Sequence, residues 1–181
     1  MNKLTVISGM TALLLLIGSV IWYGGAGNKE TDDVARQQKQ VSRDTAGAAQ
    51  GEIISQQAIH WHPELSITIK SEKQPIPANI GIGMQYAGYP QYDSMMMMTN
   101  IHTHDISGTI HWEVMEGPVR ADDIKLGQFF SVWGKKFTSS CIFDTCNGPE
   151  GRITLKINGK ENPDFENYLV KDRDKIEIVF E

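Results

Sequence analysis

Three short runs place an apolar side chain at every second position: LSITIK from Leu65, RITLKI from Arg152 and KIEIVF from Lys175. Successive side chains of an extended chain point to opposite faces, so a period of two marks a strand with one buried and one wet face. Leu65, Ile67 and Ile69, then Ile153, Leu155 and Ile157, then Ile176, Ile178 and Phe180 are expected on the buried side. Turn chemistry separates the runs. Asn158-Gly159 is the favoured pair for a tight type I′ hairpin, SEKQ (71–74) suits another turn, and KDRD (171–174) precedes the last run.

Between these runs, PIPANIGIG (75–83) carries two prolines and two glycines, which suits an edge strand with an exit loop. Residues 84–100 read as a long loop with Tyr86, Tyr89, Tyr92 and the methionine run 95–98, and a loop of this length in a small domain is expected to have a task. In LGQFFSVW, Leu126, Phe129, Phe130 and Trp133 fall at i, i+3, i+4 and i+7, which predicts a two-turn helix stopped by Gly134. Asp122 and Asp123 lie near its positive end, and Lys125 is a poor cap. The simplest assembly is an α+β domain, a mostly antiparallel sheet of four to six strands crossed by one short helix.

The amino-terminal segment is of another kind. Leu4 to Tyr23 carries no charge, and about 20 residues at about 1.5 Å rise suffice to cross a hydrocarbon core. GGAG (24–27) offers a cleavage site for a signal peptide, but the stretch exceeds the usual signal core and ends in Trp22-Tyr23, which favours an uncleaved membrane anchor. Lys3 before the segment and the acidic NKETDD after it place the N-terminus inside and the rest outside the cytoplasm. Residues 1–26 are thus expected as a membrane anchor or signal segment. Residues 27–57, polar and poor in large apolar groups, are expected as a flexible stalk, and 58–181 as an extracytoplasmic domain.

The net charge is −5, and no clustered Lys/Arg surface is present to neutralise phosphates, so no nucleic-acid partner is expected. Cys141 and Cys146 are the chain's two cysteines. In an oxidising compartment a local disulfide is the leading reading; a redox pair or thiolate ligands are the alternative, though C-x4-C is not the C-x-x-C of a thioredoxin-like site.

Chemistry concentrates in NIHTHDISGTIHWE (100–113), which holds three of the five histidines. A two-residue-loop hairpin through Asp105–Gly108 sets His104 opposite Thr109 and His102 opposite His111. Opposed residues share a face, so all three imidazoles gather on one side with Glu113. A three-residue loop would send His111 to the other face. Three neutral imidazoles form a site for Cu or Zn with one position open, and Glu113 or Asp105 would complete the shell or hold a ring N–H from behind. His102, His104, His111 and Glu113 are the candidate metal-site residues. His60 and His62 repeat the H-x-H spacing, as a fourth ligand, a second site or a plain surface entry to the first strand. Methionine thioethers favour Cu(I), which makes copper the preferred ion and zinc the other, while packing into irregular gaps is the competing reading of Met95 to Met98.

PANIGI, IHTHDISGTIHWE, LGQFFSVWG and KINGK followed by YLVKDRDKIEIVF resemble a little-characterised group of prokaryotic membrane-anchored or secreted domains with an IHTHD-x-SG-x-IH signature. The resemblance covers about residues 60–181 and carries no assigned activity. Its ending, a strand, an Asn-Gly turn and an acidic approach to the last strand, also looks like the close of a β-grasp fold, a likeness that does not license function. Group members often have Thr or Ser where this chain has Lys125, which bears only on the helix cap.

Three functions compete on these residues. The first is a membrane-anchored, extracytoplasmic metal-binding protein serving in metal sensing, delivery or detoxification. The second is a metal-dependent enzyme with an open three-histidine site, for which no further catalytic group is identified. The third is a metal-free interaction module presenting Tyr86, Tyr89 and Tyr92.

Overall fold

The computed structural model describes residues 51–181; the expected membrane segment and residues 27–50 of the expected stalk lie outside the described residues. Among the described residues no helix is long and apolar enough to cross a membrane. In chain order the strands are β1 (Ile53–Ser55), β2 (Ile59–Trp61), β3 (Glu64–Ile69), β4 (Glu72–Gln74), β5 (Tyr92–Asp93), β6 (Met98–Thr99), β7 (Ile101–His102), β8 (His111–Val114) and β9 (Val119–Arg120). After the helix α1 (Leu126–Trp133) come β10 (Cys141–Ile142), β11 (Thr145–Cys146), β12 (Ile153–Ile157), β13 (Lys160–Glu161) and β14 (Lys175–Phe180).

The alternating runs build a five-stranded sheet in the order β13-β12-β14-β3-β4. Ile153, Leu155 and Ile157 on β12, Ile176, Ile178 and Phe180 on β14, and Leu65 and Ile67 on β3 are buried, as their period of two requires. Most pairings are antiparallel, but the central pair β14 and β3 is parallel, with Ile178 beside Ile67. Parallel neighbours cannot be joined by a tight turn, so everything from β4 to β13, α1 included, lies within the connection between them. Asn158 (φ 53°) and Gly159 (φ 79°) make the β12–β13 turn, both in the left-handed region that a type I′ turn demands.

Helix α1 has the expected bounds. Gly134 takes φ 69° and donates its N–H to the carbonyls of Phe130 and Ser131, closing the C-terminus. Lys125 provides no side-chain cap; it pairs with Asp122 at 2.7 Å, and the Leu126 N–H donates to Tyr168 O at 2.9 Å instead. Leu126, Phe129, Phe130 and Val132 are buried, with the Phe130 ring stacked on Phe137 at 4.5 Å, while Trp133 lies at the rim edge-on to Phe143.

Three local expectations change. SEKQ is mostly strand β4, because the reversal falls one residue earlier, at Lys70 and Ser71, both with positive φ. PIPANIGIG forms no named strand: Pro75 and Pro77 lack the N–H a ladder needs, and Asn79 and Gly81 take positive φ. Its Ile76 and Ile80 are buried instead. Within the segment read as stalk, Ile53–Ser55 pairs with Val119–Arg120, and the Arg120 guanidinium donates to Gly51 O at 3.1 Å, so ordered pairing begins before residue 58. Cys141 and Cys146 face each other across the β10–β11 hairpin and form a disulfide.

Candidate metal centre

A second, three-stranded sheet in the order β2-β8-β7 carries the site. Trp112 of β8 stands opposite Trp61 on β2 and Ile101 on β7, and this face turns into the core, where Trp112 and Ile101 are buried. The indole N–H donates to Asp123 O at 2.9 Å, tying β8 to the turn that precedes α1. With Trp112 inward, its neighbours His111 and Glu113 must point to the other face. There His102 is paired with His111, and His60 with Glu113.

The expected register of His102 against His111 is therefore present, but the two-residue turn is not. The hairpin opens after His102. Thr103 is claimed by the 77–80 segment: Asn79 N–H donates to its carbonyl at 2.8 Å, its own N–H donates to Ile80 O at 3.0 Å, and its hydroxyl donates to Pro77 O at 2.8 Å. On the return side Thr109 bridges Glu64, Leu65 N–H donates to Gly108 O at 2.8 Å, and Ile110 N–H donates to Pro63 O at 2.9 Å. Gly108 has φ 91°, and a Cβ there would collide with the Leu65 carbonyl, so this approach needs glycine. His104 is thus a loop residue rather than the partner of Thr109, and it reaches the site by turning its ring back.

His102 is 1% exposed. Its Nδ1 lies 3.0 Å from Thr99 O, and a carbonyl only accepts, so Nδ1 bears the proton and the lone pair sits on Nε2. That Nε2 lies 3.2 Å from His104 Nε2. The two rings are within hydrogen-bond distance, the His104 N–H donating to the His102 lone pair, and the same spacing suits a chelate, since two nitrogens on one tetrahedral ion at about 2.05 Å stand about 3.3 Å apart. The His111 ring lies parallel to His102 with centroids 5.2 Å apart and edge-on to His104 at 4.5 Å. His102, His104 and His111 form one triad whose ligand atoms all lie within 4.8 Å of one another.

Sequence reasoning left His60 and His62 undecided; they join the same face. His62 continues the alternation of β2, its ring edge-on to His111 at 4.7 Å and 4.6 Å from that of His60. His60, His62 and His111 form a second triad by the same measure, so all five histidines converge with His111 common to both. Glu113 stands between them as a shared carboxylate: Oε1 lies 2.8 Å from His60 Nε2 and 3.4 Å from His111 Nδ1. The longer contact is a charge approach rather than a close hydrogen bond, and the buried His111 Nδ1 has no hydrogen-bond partner among the described residues. Within its own loop Asp105 instead turns to Ser107, whose hydroxyl and, next, N–H, donated at 2.8 Å, hold the Asp105 carboxyl below the usual range.

The methionine run does not fill the core: Met95 is 93% exposed, and Met96 and Met97 are also open to solvent. Met96 and Met98, with Met115 and Glu113, line a cleft of about 290 Å³. Tyr86 and Tyr89 pack against the core, and the Tyr89 hydroxyl donates to Ser131 O at 3.1 Å, so they lean inward.

Burial holds the His102 imidazole below the ordinary histidine value, outweighing the Thr99 carbonyl that favours the charged ring. Burial does the same for His111, helped by the neighbouring His104. The unfolded chain accepts protons near pH ~6.5, where the folded domain still refuses them. Without metal, stability should hold above that pH and fall as pH drops below it, until the folded rings protonate too. Melting temperatures of the metal-free chain between pH 8 and 5 check this; a flat profile would contradict the burial of these rings.

Comparison with protein-family models, with curated proteins and with solved structures finds no match for this chain.

Proposed function

We propose that this is an extracytoplasmic metal-binding domain, anchored by the apolar segment Leu4–Tyr23, that holds a copper or zinc ion through His102, His104 and His111 and serves in metal sensing, delivery or detoxification. The observation that carries the reading is the His102–His104 pair: two Nε2 atoms 3.2 Å apart, one with its lone pair fixed by the Thr99 carbonyl. A hydrogen-bonded carbonyl behind a ligating imidazole is the usual way a protein orients a metal ligand.

Copper is the preferred ion. Thioethers are soft ligands, and Met96, Met98 and Met115 line a cleft that Glu113 shares with the histidine face. The Cys141–Cys146 disulfide supports an oxidising compartment. The sheet order, hairpins β12–β13 and β3–β4 on either side of a central β14 that runs parallel to β3, with one helix in the connection, supports the β-grasp likeness of the fold.

The test is a calorimetric titration of the full chain with Cu(II) or Zn(II). At pH 7 uptake is expected with a rise in melting temperature; below about pH 6 it should be lost, since a protonated imidazole cannot ligate. Absence of both binding heat and a melting shift with either ion would leave the metal-free interaction module as the better reading.

A further inference from the structure

We infer that the histidine face holds two cations at once, the second bound by His60, His62 and His111 beside Glu113, with the His111 ring bridging the two ions. The inference rests on the proposed function for its first ion only.

The sheet register is what assembles it. His60 and His62 on or just beyond β2, and His111 and Glu113 on β8, follow the same alternation, and the β2–β8 ladder sets His60 opposite Glu113. Extending that ladder by one position past Trp61 and Trp112 brings His62 to His111, in keeping with their ring contact. A single tetrahedral ion cannot take five imidazoles. Nor does hydrogen bonding explain the whole cluster: Glu113 engages His60 and His104 engages His102, while His62 and His111 crowd against them with no close side-chain hydrogen bond of their own among the described residues, a convergence that a shared cation would stabilise.

His111 has the atoms for a bridge. Nδ1 lies on the side of Glu113 and His60, 3.4 Å from the Glu113 carboxylate, is buried and has no hydrogen-bond partner among the described residues. A buried polar nitrogen without a partner is costly, and a metal ion would satisfy it. Assigning Nδ1 to the second ion leaves Nε2 for the ion of His102 and His104. Loading both nitrogens releases the His111 ring proton to solvent, and the resulting imidazolate and the Glu113 carboxylate supply two negative charges between two dications.

The experiment is metal-to-protein stoichiometry on the full chain after equilibration with Cu(II) and removal of free ion, with electron paramagnetic resonance of the loaded protein. Two equivalents are expected for the native chain, with the signal altered by coupling between the copper ions. His62→Ala and, separately, His60→Ala should each leave one uncoupled equivalent, as should His102→Ala. His60 is 62% exposed, so His60→Ala removes a ligand of the second ion without opening the core, and a melting temperature matching the native chain's confirms that its lost equivalent is not a loss of fold. One equivalent in the native chain, whether or not His62→Ala weakens it, overturns the second site and leaves the first standing. Two equivalents that persist in both the His60 and His62 variants also overturn it. No bound copper at all removes the proposed function together with the inference.

Discussion

Replacing His111 by alanine is expected to abolish metal uptake while leaving the fold intact. The ring belongs to both triads, so its removal strips each to two imidazoles. Loss of a group that merely orients a ligand costs about 10–100-fold in affinity, so loss of a shared ligand should cost at least about 100-fold. Stability should respond little. His111 is only half-buried and its Nδ1 makes no hydrogen bond, so truncation breaks none there and removes an unpartnered buried nitrogen, an effect within about 1 kcal/mol. Calorimetric titration and denaturant unfolding of the same sample separate the two effects. If His111→Ala binds metal as the native chain does, the shared role assigned to this ring is wrong.

Trp112→Ala is expected to do the opposite, damaging the fold first. The indole is fully buried on the inward face of β8, and its N–H donates to Asp123 O. Truncating a buried aromatic costs about 3–5 kcal/mol through lost transfer energy and the cavity left behind. For a domain of this size that lowers the melting temperature on the order of 15 °C. Trp112→Phe keeps most of the volume and loses the hydrogen bond, for about 1 kcal/mol. Because His111 and Glu113 flank Trp112, the phenylalanine variant should keep its metal affinity while the alanine variant loses it on unfolding. A melting point unchanged in Trp112→Ala would mean that β8 is not anchored as described.

What could be read from the chain was whatever local physics decides. The period of two in 153–157 and 175–180, the Asn158-Gly159 turn and the bounds of α1 with Gly134 at its end depend on neighbours within a few residues. The parity of the histidine hairpin was legible for the same reason, with His102 paired to His111. Its loop was not, because Thr103 and Gly108 bond to segments 77–80 and 63–65, which no local rule brings near. Residues 60 and 62 were undecided for a related reason: their partners on β8 lie some fifty positions away, and only the ladder places Glu113 across from His60. The signal was present in the shared alternation of H-x-H at 60–62 and H-x-E at 111–113. Reading it required knowing that the two strands are neighbours. Similarly, the methionines could be weighed as core filler or soft ligands by chemistry alone, and their exposure follows from a loop whose path the sequence does not display.

The central position of β14 has a consequence for biogenesis. This strand follows all the others in chain order yet sits between β12 and β3, contributing Ile176, Ile178 and Phe180 to the core. A ribosome making the protein must therefore release β3 with its parallel edge unfilled until residues 175–180 emerge. Non-local pairing of this kind is slow to form, and nascent or truncated chains with an open sheet edge invite association with one another. Cells producing this domain should accordingly depend on holding chaperones during its synthesis, and versions cut before Lys175 should accumulate as aggregates rather than as soluble fragments.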